Sequence, residues 1–272
     1  MTGIVRPLWF EPVRHCYRLV KDPCYRTLCL LEAKLGNAPR FVPGSLKLHG
    51  KRFRFPDAAS FLSAYREIFV ERIYAFPSDD GAPGILDLGA NIGLSVLYFK
   101  QLFPAATITA YEADPEIFAY LEGNIRESGC TGVELFNKAA WHEDARLRFH
   151  SEGADGGRVA SGGGGRVVEV DAVSLAHVLG ERSFRFVKMD IEGAEETVLP
   201  ACGSCLDGVR FIFVEYHSPV GRRQGLDRTL AVLADAGFRV SLQNVSSPRS
   251  PFLGVGEQGG FDLQVNIFGW RE

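Results

Sequence analysis

The segment that most constrains this chain is Gly84-Ile-Leu-Asp-Leu-Gly-Ala-Asn-Ile-Gly-Leu-Ser95. A short apolar run ends in an acidic residue, Asp87, and a glycine-punctuated turn then opens a stretch, Leu94 to Phe103, that reads as a helix. A strand, a tight turn and a helix N-terminus together make a seat for a ligand. Glycines let backbone N–H groups approach closely, and the helix end leaves donors unpaired. The pattern is Asp-x-Gly-x-x-x-Gly, without the extra glycine that brings a backbone against a dinucleotide pyrophosphate. The carboxylate of Asp87 before the turn suits a ligand with positive charge better than one with phosphates.

A second apolar run, Ala106 to Tyr111, ends in Glu112, which lies 19 residues beyond Gly93. An acidic residue at that place in a nucleoside-binding α/β fold accepts both ribose hydroxyls. A nucleoside with a cationic part and no phosphates describes S-adenosylmethionine. Asp87, Gly89, Ala90, Asn91, Gly93, Glu112, Ala113 and Ala139 are the candidate cofactor-binding residues.

From Ile85 onward, apolar runs and helical patterns alternate. Strands are expected at 85–88, 107–111, 133–137, 145–149, 166–170, 185–190, 209–215, 237–242 and 262–268, and helices at 94–103, 115–128, 172–180, 193–200 and 223–236. This order predicts an α/β fold with a doubly wound, mostly parallel sheet. The short polar connection Asn244–Gly260 leaves the last two strands to pair as a terminal antiparallel hairpin. Residues 1–80 read as an appendage on the substrate or oligomer side, and residues 81–272 as the cofactor-binding domain. In the appendage, Leu46 to Phe55 alternates around a His49-Gly50 turn and predicts a β-hairpin. Phe61, Leu62, Tyr65, Ile68 and Phe69 then recur at helical spacing, with Ser60 as the expected cap.

Seven of the fifteen residues 151–165 are glycine, which predicts either a slack linker or a lid over the substrate. The net charge of −3 and the absence of a basic stripe exclude an ordinary nucleic-acid binder. No stretch has the roughly 18 consecutive apolar residues of a membrane span. The six cysteines are irregularly placed, and the lone Cys202-Gly-Ser-Cys205 has no second pair with which to hold zinc. Reduced cysteines and a cytoplasmic protein are expected.

The chemistry-bearing residues cluster in Phe186-Val-Lys-Met-Asp-Ile-Glu-Gly-Ala-Glu195, where Lys188, Asp190 and Glu192 approach a strand's carboxyl end. Residues two apart on a strand share a face, so the three converge if the strand persists. Phe211-Ile-Phe-Val-Glu-Tyr-His217 adds Glu215 and His217 at the end of a neighbouring strand. Charged groups beside apolar runs are costly to bury without a partner or a task. Capping by Asp190 and Glu192 with a Lys188 ion pair explains any one residue, whereas the joint set points to catalysis by Asp190, Glu192, His217 and Lys188.

Asp87–Gly93, Tyr111-Glu-Ala-Asp-Pro115, Lys188–Glu195 and Val214-Glu-Tyr-His217 resemble the signature blocks of FkbM-type S-adenosylmethionine-dependent methyltransferases, as does Glu67–Tyr74 before them. The resemblance covers about residues 40–240, with the Lys-x-Asp-x-Glu-Gly block its most specific part. It implies O-methyl transfer to a sugar, glycan or natural-product hydroxyl. By similarity to macrolide-sugar methyltransferases, Asp190, Glu192 and Glu215 are the residues that would hold Mg2+. The partner expected is a small-molecule or glycan acceptor, with a homo-oligomer compatible with the appendage.

Two alternatives stay open on the residues alone. An NAD-dependent oxidoreductase or epimerase would want a third glycine and a Tyr-x-x-x-Lys pair, both absent. A non-catalytic scaffold would be free to lose Asp87, Glu112 or Asp190, and all three are present. An N-methylating enzyme would want an Asn/Asp-Pro-Pro-Tyr block, which the chain lacks.

Overall fold

The computed structural model describes residues 10–151, 158–159, 166–245, 252–253 and 260–272. Helices α1 (Phe10–Lys21) and α2 (Pro23–Leu35) lead into a hairpin of β1 (Gly44–Leu48) and β2 (Lys51–Phe55). His49 and Gly50 both take positive φ in its two-residue turn, which matches the strands' right-handed twist. Helix α3 (Ala58–Tyr65) runs on into a π-helical turn, Arg66–Glu71. The cap of α3 is Asp57 rather than the expected Ser60: the Asp57 carboxylate accepts from Ser60 N–H at 2.9 Å, and Ser60 already lies in the first turn.

Next come β3 (Gly84–Leu88), α4 (Leu94–Leu102), β4 (Thr107–Tyr111), α5 (Pro115–Ser128) and β5 (Val133–Phe136). An excursion follows through β6 (Ala139–Trp141), β7 (Ala145–Ser151), β8 (Arg158–Val159) and β9 (Arg166–Ser174). The chain closes with α6 (Leu175–Glu181), β10 (Phe186–Met189), α7 (Glu195–Ala201), β11 (Phe211–Pro219), α8 (Leu226–Asp235), β12 (Arg239–Asn244) and β13 (Phe261–Trp270). The main sheet has seven strands in the order β12-β13-β11-β10-β3-β4-β5. Strands β5, β4, β3, β10 and β11 are parallel, and β13 enters antiparallel between β11 and β12. The expected antiparallel ending is therefore present, with the last strand inserted rather than added at the edge. Chain order reverses at β3, so the carboxyl ends of β3, β4 and β10 border the crevice where open α/β sheets bind ligands.

The expected strands at 145–149 and 166–170 do not join that sheet. They form β7 and β9 of a separate four-stranded sheet, ordered β6-β9-β7-β8. Residues 172–174, expected to be helical, extend β9 because they pair with β6 and β7, and the helix starts only at Leu175. The glycine-rich segment 151–165, expected as linker or lid, lies almost wholly outside the described residues.

The hairpin and α3 share one hydrophobic cluster with the α4 face of the main sheet. Phe53, Phe55, Phe61, Tyr65 and Phe69 continue through Tyr98 and Phe99 to Phe186 and Phe213. Aromatic stacking carries this continuity, with Tyr65 on Phe69 at 4.8 Å and Phe76 on Phe186 at 4.6 Å. Among the described residues no helix is long and apolar enough to cross a membrane, and all six cysteines are free.

Buried Asn124 on α5 fastens the hairpin to the ligand loop. Its amide accepts from Arg54 N–H at 2.8 Å and donates to Arg54 C=O and Ile92 C=O, each at 2.9 Å. Removing it orphans backbone groups on two elements at once. Asn124→Ala is expected to lower stability by about 2–4 kcal/mol; urea unfolding measures this, and a loss under about 0.5 kcal/mol would show the fastening to be dispensable.

Candidate active site

The loop after β3 is built from backbone conformations that favour glycine. Gly89, Asn91 and Gly93 have φ of 78°, 48° and 94°. A Cβ at Gly89 would sit 1.8 Å from the carbonyl oxygen of Asp190, so the turns after β3 and β10 touch backbone to backbone. Gly89 and Ala90 both donate to Tyr111 C=O. Glu112 then ties two loops together: one carboxylate oxygen accepts Asn91 N–H and the other Asp114 N–H, each at 2.9 Å. Burial pushes the Glu112 carboxyl up to about 7 even against those two bonds. Beside this carboxylate opens a cleft of about 650 Å³, mouth included, lined by Gly89, Asn91, Glu112, Ala113, Ala139 and Phe149 among others.

Lys188 lies at the centre, almost fully buried. Its ammonium donates to Gly89 C=O at 2.7 Å and stands 3.3 Å from Asp190 and 3.5 Å from Asp87. Burial works to discharge it, but Asp190 and Asp87 outweigh that and hold its pKa above the ordinary lysine value. Asp87, also fully buried, takes the Ser95 hydroxyl as its second partner at 2.5 Å.

After β10 the chain turns instead of continuing as a strand. Glu192 and Gly193 take positive φ, at 55° and 92°. The expected convergence of Asp190 and Glu192 is therefore real, but a strained turn produces it, not strand alternation, because β10 stops at Met189. Glu195 holds the turn by accepting the N–H groups of Ile191 and Gly193, so the capping weighed as the alternative role of Asp190 and Glu192 falls to Glu195. Its other neighbour is buried His217, whose Nδ1 is 3.2 Å away, while the ring's Nε2 lies 3.7 Å from both Glu192 and Glu215. Strand β11 runs through these residues to Pro219, so Glu215 is mid-strand, paired with Asn266.

Burial works to discharge His217, but Glu192 and Glu195 prevail and hold its pKa well above the ordinary histidine value. Burial, helped by Asp190, lifts Glu215 to about 8, and burial lifts Glu192 well above the carboxylate range despite His217. Asp190, Glu192 and His217 each bring one ligand atom within 4.8 Å of the others, close enough for a single cation. A second, larger cleft reaches this cluster from the appendage side, past Glu67, Tyr74 and Phe41. The two clefts share Gly89, Asn91, Asp190 and Glu192.

The sequence signature of the methyltransferase FkbM domain matches residues 87–240, more than half of the chain, including Glu112, Lys188, Asp190, Glu192, Glu215 and His217. The chain belongs to the FkbM methyltransferase family. It is a methyltransferase, and the family's methyl donor is S-adenosylmethionine, which removes the oxidoreductase alternative. Among relatives, 31-O-demethyl-FK506 methyltransferase FkbM of Streptomyces tacrolimicus is 29% identical over 67% of this chain and 82% of its own. Methyltransferase sdnD of Sordaria araneosa is 28% identical over 65% and 82%, and the 2-O-methyltransferase NoeI of Sinorhizobium fredii 27% over 49% and 63%. The crystal structure of a methyltransferase FkbM from Methylobacillus flagellatus superposes with a TM-score of 0.50 at 13% identity. It covers 94% of this chain, which spans 60% of that longer one, and shows the class I methyltransferase fold.

Of the residues singled out from sequence, Gly89, Asn91, Glu112, Ala113 and Ala139 line the smaller cleft, while Ala90 lines the larger. Asp87 and Gly93 line neither. Asp87 is consumed by Lys188 and Ser95, and Gly93 caps α4, packed against Leu121 and Ile125. Lys188, Asp190, Glu192, Glu215 and His217 do come together at the larger cleft. Sequence reasoning missed Phe149, Tyr74 and Glu195. The acid at helical position 195, three residues beyond a turn, was a signal available for the last.

Among the described residues, Lys188 is the one cation between two buried or half-buried carboxylates, Asp87 and Asp190. Lys188→Met should leave both uncompensated and cost about 3–5 kcal/mol of stability. Chemical unfolding tests this, with Asp87→Asn added to recover part of the loss; a stable Lys188→Met protein would show the ion pair to be incidental.

Proposed function

We propose that this methyltransferase transfers a methyl group from S-adenosylmethionine to a hydroxyl oxygen of a sugar-like or natural-product acceptor. The observation that carries this reading is the junction of two clefts at Gly89, Asn91, Asp190 and Glu192. One cleft suits the donor and the other the acceptor, with the acidic turn between them. The names of two relatives, an O-demethyl-FK506 methyltransferase and a 2-O-methyltransferase, supply the preference for oxygen.

The residues fit the donor. Glu112 has spent two of its roughly four lone-pair positions on N–H groups, which leaves acceptor capacity for two ribose hydroxyls. The backbone of Gly89–Asn91 can lie against the amino-acid part, and Ala113, Ala139 and Phe149 offer an apolar wall for a flat base. Bound there, S-adenosylmethionine supplies an electrophilic methyl on a sulfonium, and transfer leaves a neutral thioether. The protein aligns the acceptor and keeps water out. Asp190, Glu192 and Glu215 form the centre that receives the hydroxyl proton. His217, held protonated among carboxylates, serves better as their counterion than as the base. Asp190 and Glu192 also fit a hard divalent cation such as Mg2+, with Glu215 or His217 completing the donor set. Such an ion would lower the acceptor hydroxyl's pKa.

Glu112→Ala is expected to weaken S-adenosylmethionine binding by about 1.5–3 kcal/mol. Because the carboxyl titrates at about 7 and only its ionised form accepts both hydroxyls, binding should tighten as pH rises toward 7 and level off above it. Calorimetry on wild type and Glu112→Gln, which should lose this pH dependence, tests the placement. An unchanged Kd in folded Glu112→Ala refutes it.

Asp190→Asn should lower kcat by roughly 10²–10⁴-fold with Tm and cofactor affinity retained. If the cluster works through a cation, a chelator abolishes turnover and Mg2+ restores it; if not, chelation does nothing and the rate follows one ionisation. Full activity in both Asp190→Asn and His217→Ala would sink the acidic centre in either form.

A further inference from the structure

Helix α1 meets the rest of the protein with its polar side. At 3.6 residues per turn, Val13, Tyr17 and Val20 fall within about 60° of one another, and His15 and Arg18 lie roughly opposite them. It is His15 and Arg18 that touch α2. His15 Nδ1 stands 2.7 Å from the Tyr25 hydroxyl, while the Arg18 guanidinium lies 3.9 Å from the Tyr25 ring centroid and 3.5 Å from Asp22. Arg26 of α2 adds a bond to the carbonyl of Leu19, at 2.9 Å. Helix α2 is itself fixed to the body, since Leu28 and Leu31 are buried in the core and Glu32 pairs with Arg66 of the π-helical turn.

This orientation leaves the apolar stripe in solvent. Val13, Tyr17 and Val20 are 58%, 65% and 73% exposed. Single exposed apolar residues are ordinary on a protein surface. A stripe of them on one helix face, with the polar face turned inward, is the reverse of what packing alone selects and marks a place for a partner. Arg14 and Lys21, both exposed, flank the stripe on one side, and neither has a carboxylate partner among the described residues. The helix carries Arg14, Arg18 and Lys21 against one acid, Glu11.

That charge selects the occupant. A second copy would bring an equally cationic helix, and the like charges would oppose pairing. Anionic lipid headgroups complement it. Val13 and Val20 can enter the boundary between headgroups and acyl chains, Tyr17 can keep its hydroxyl at the wet edge, and Arg14 and Lys21 can reach the phosphates. We propose that α1 is an interfacial anchor that docks this protein on an anionic lipid surface, with the helix axis in the plane of that surface. Three apolar side chains bury too little to hold on neutral lipid, so docking needs both the stripe and the cations. None of these residues lines either cleft, so docking and methyl transfer can be tested separately.

Flotation of the full chain with phosphatidylcholine vesicles, with and without about one third phosphatidylglycerol, tests this. The protein should bind the anionic vesicles about tenfold more tightly or better, and about 0.5 M salt should remove most of the difference. Replacing the stripe (Val13→Gln, Tyr17→Gln and Val20→Gln) and, separately, the cations (Arg14→Gln and Lys21→Gln) should each weaken binding by about tenfold, with Tm and S-adenosylmethionine affinity unchanged. Absence of binding to the anionic vesicles, equal binding to the neutral ones, or full binding by the stripe variant would overturn the proposal. So would a dimer in light scattering that the stripe variant dissolves, since a second copy would then be the occupant.

Discussion

The architecture of the site turns on a buried ammonium placed where two parallel strands end side by side. Lys188 on β10 faces Asp87 on β3 in register, and its charge also meets Asp190 and the carbonyl of Gly89. Without a cation, fully buried Asp87 would be an uncompensated charge of the kind proteins avoid. With it, the turns after both strands can be drawn together until only a glycine fits between them. The loop after β3 and the acidic turn are therefore packed backbone to backbone, and both clefts open onto them. Family membership rests on the same stretches, since the matched residues begin at Asp87 and include Gly89 and Asp190, the other polar partners of Lys188.

Much of this was legible locally. The strand-turn-helix at 84–102 follows from an apolar run, glycine spacing and helical periodicity, all of them short-range signals. The second sheet was not. Alternation at 145–149 and 166–170 says strand but does not say which sheet, because pairing is decided by partners far away in sequence. The same limit moved the start of the helix after β9, where pairing with β6 and β7 overrode the local pattern through Ser174. Asp57 was overlooked as a cap in favour of Ser60 although both are good capping residues. What separates them is Asp57's long-range bond to Phe41, which no local rule contains. At the site, the residues named from sequence do come together, but by a geometry other than the expected one. Strand alternation would have brought Asp190 and Glu192 to one face, whereas a positive-φ turn held by Glu195 does so.

The acidic cluster shows what its charges are suited to. Asp87, Asp190, Glu192, Glu195 and Glu215 face only Lys188 and His217 among the described residues. Burial first, and neighbouring carboxylates after it, push Glu215 up to about 8 and Glu192 well above its ordinary range. Protonated carboxyls are poor proton acceptors. Positive charge brought near them lowers their pKa and frees them to act. A cationic methyl donor in the adjoining cleft, or a divalent ion among the carboxylates, would do this at the moment the reaction needs it. The carboxyl groups of Glu192 and Glu195 also hold His217 charged against the pull of burial.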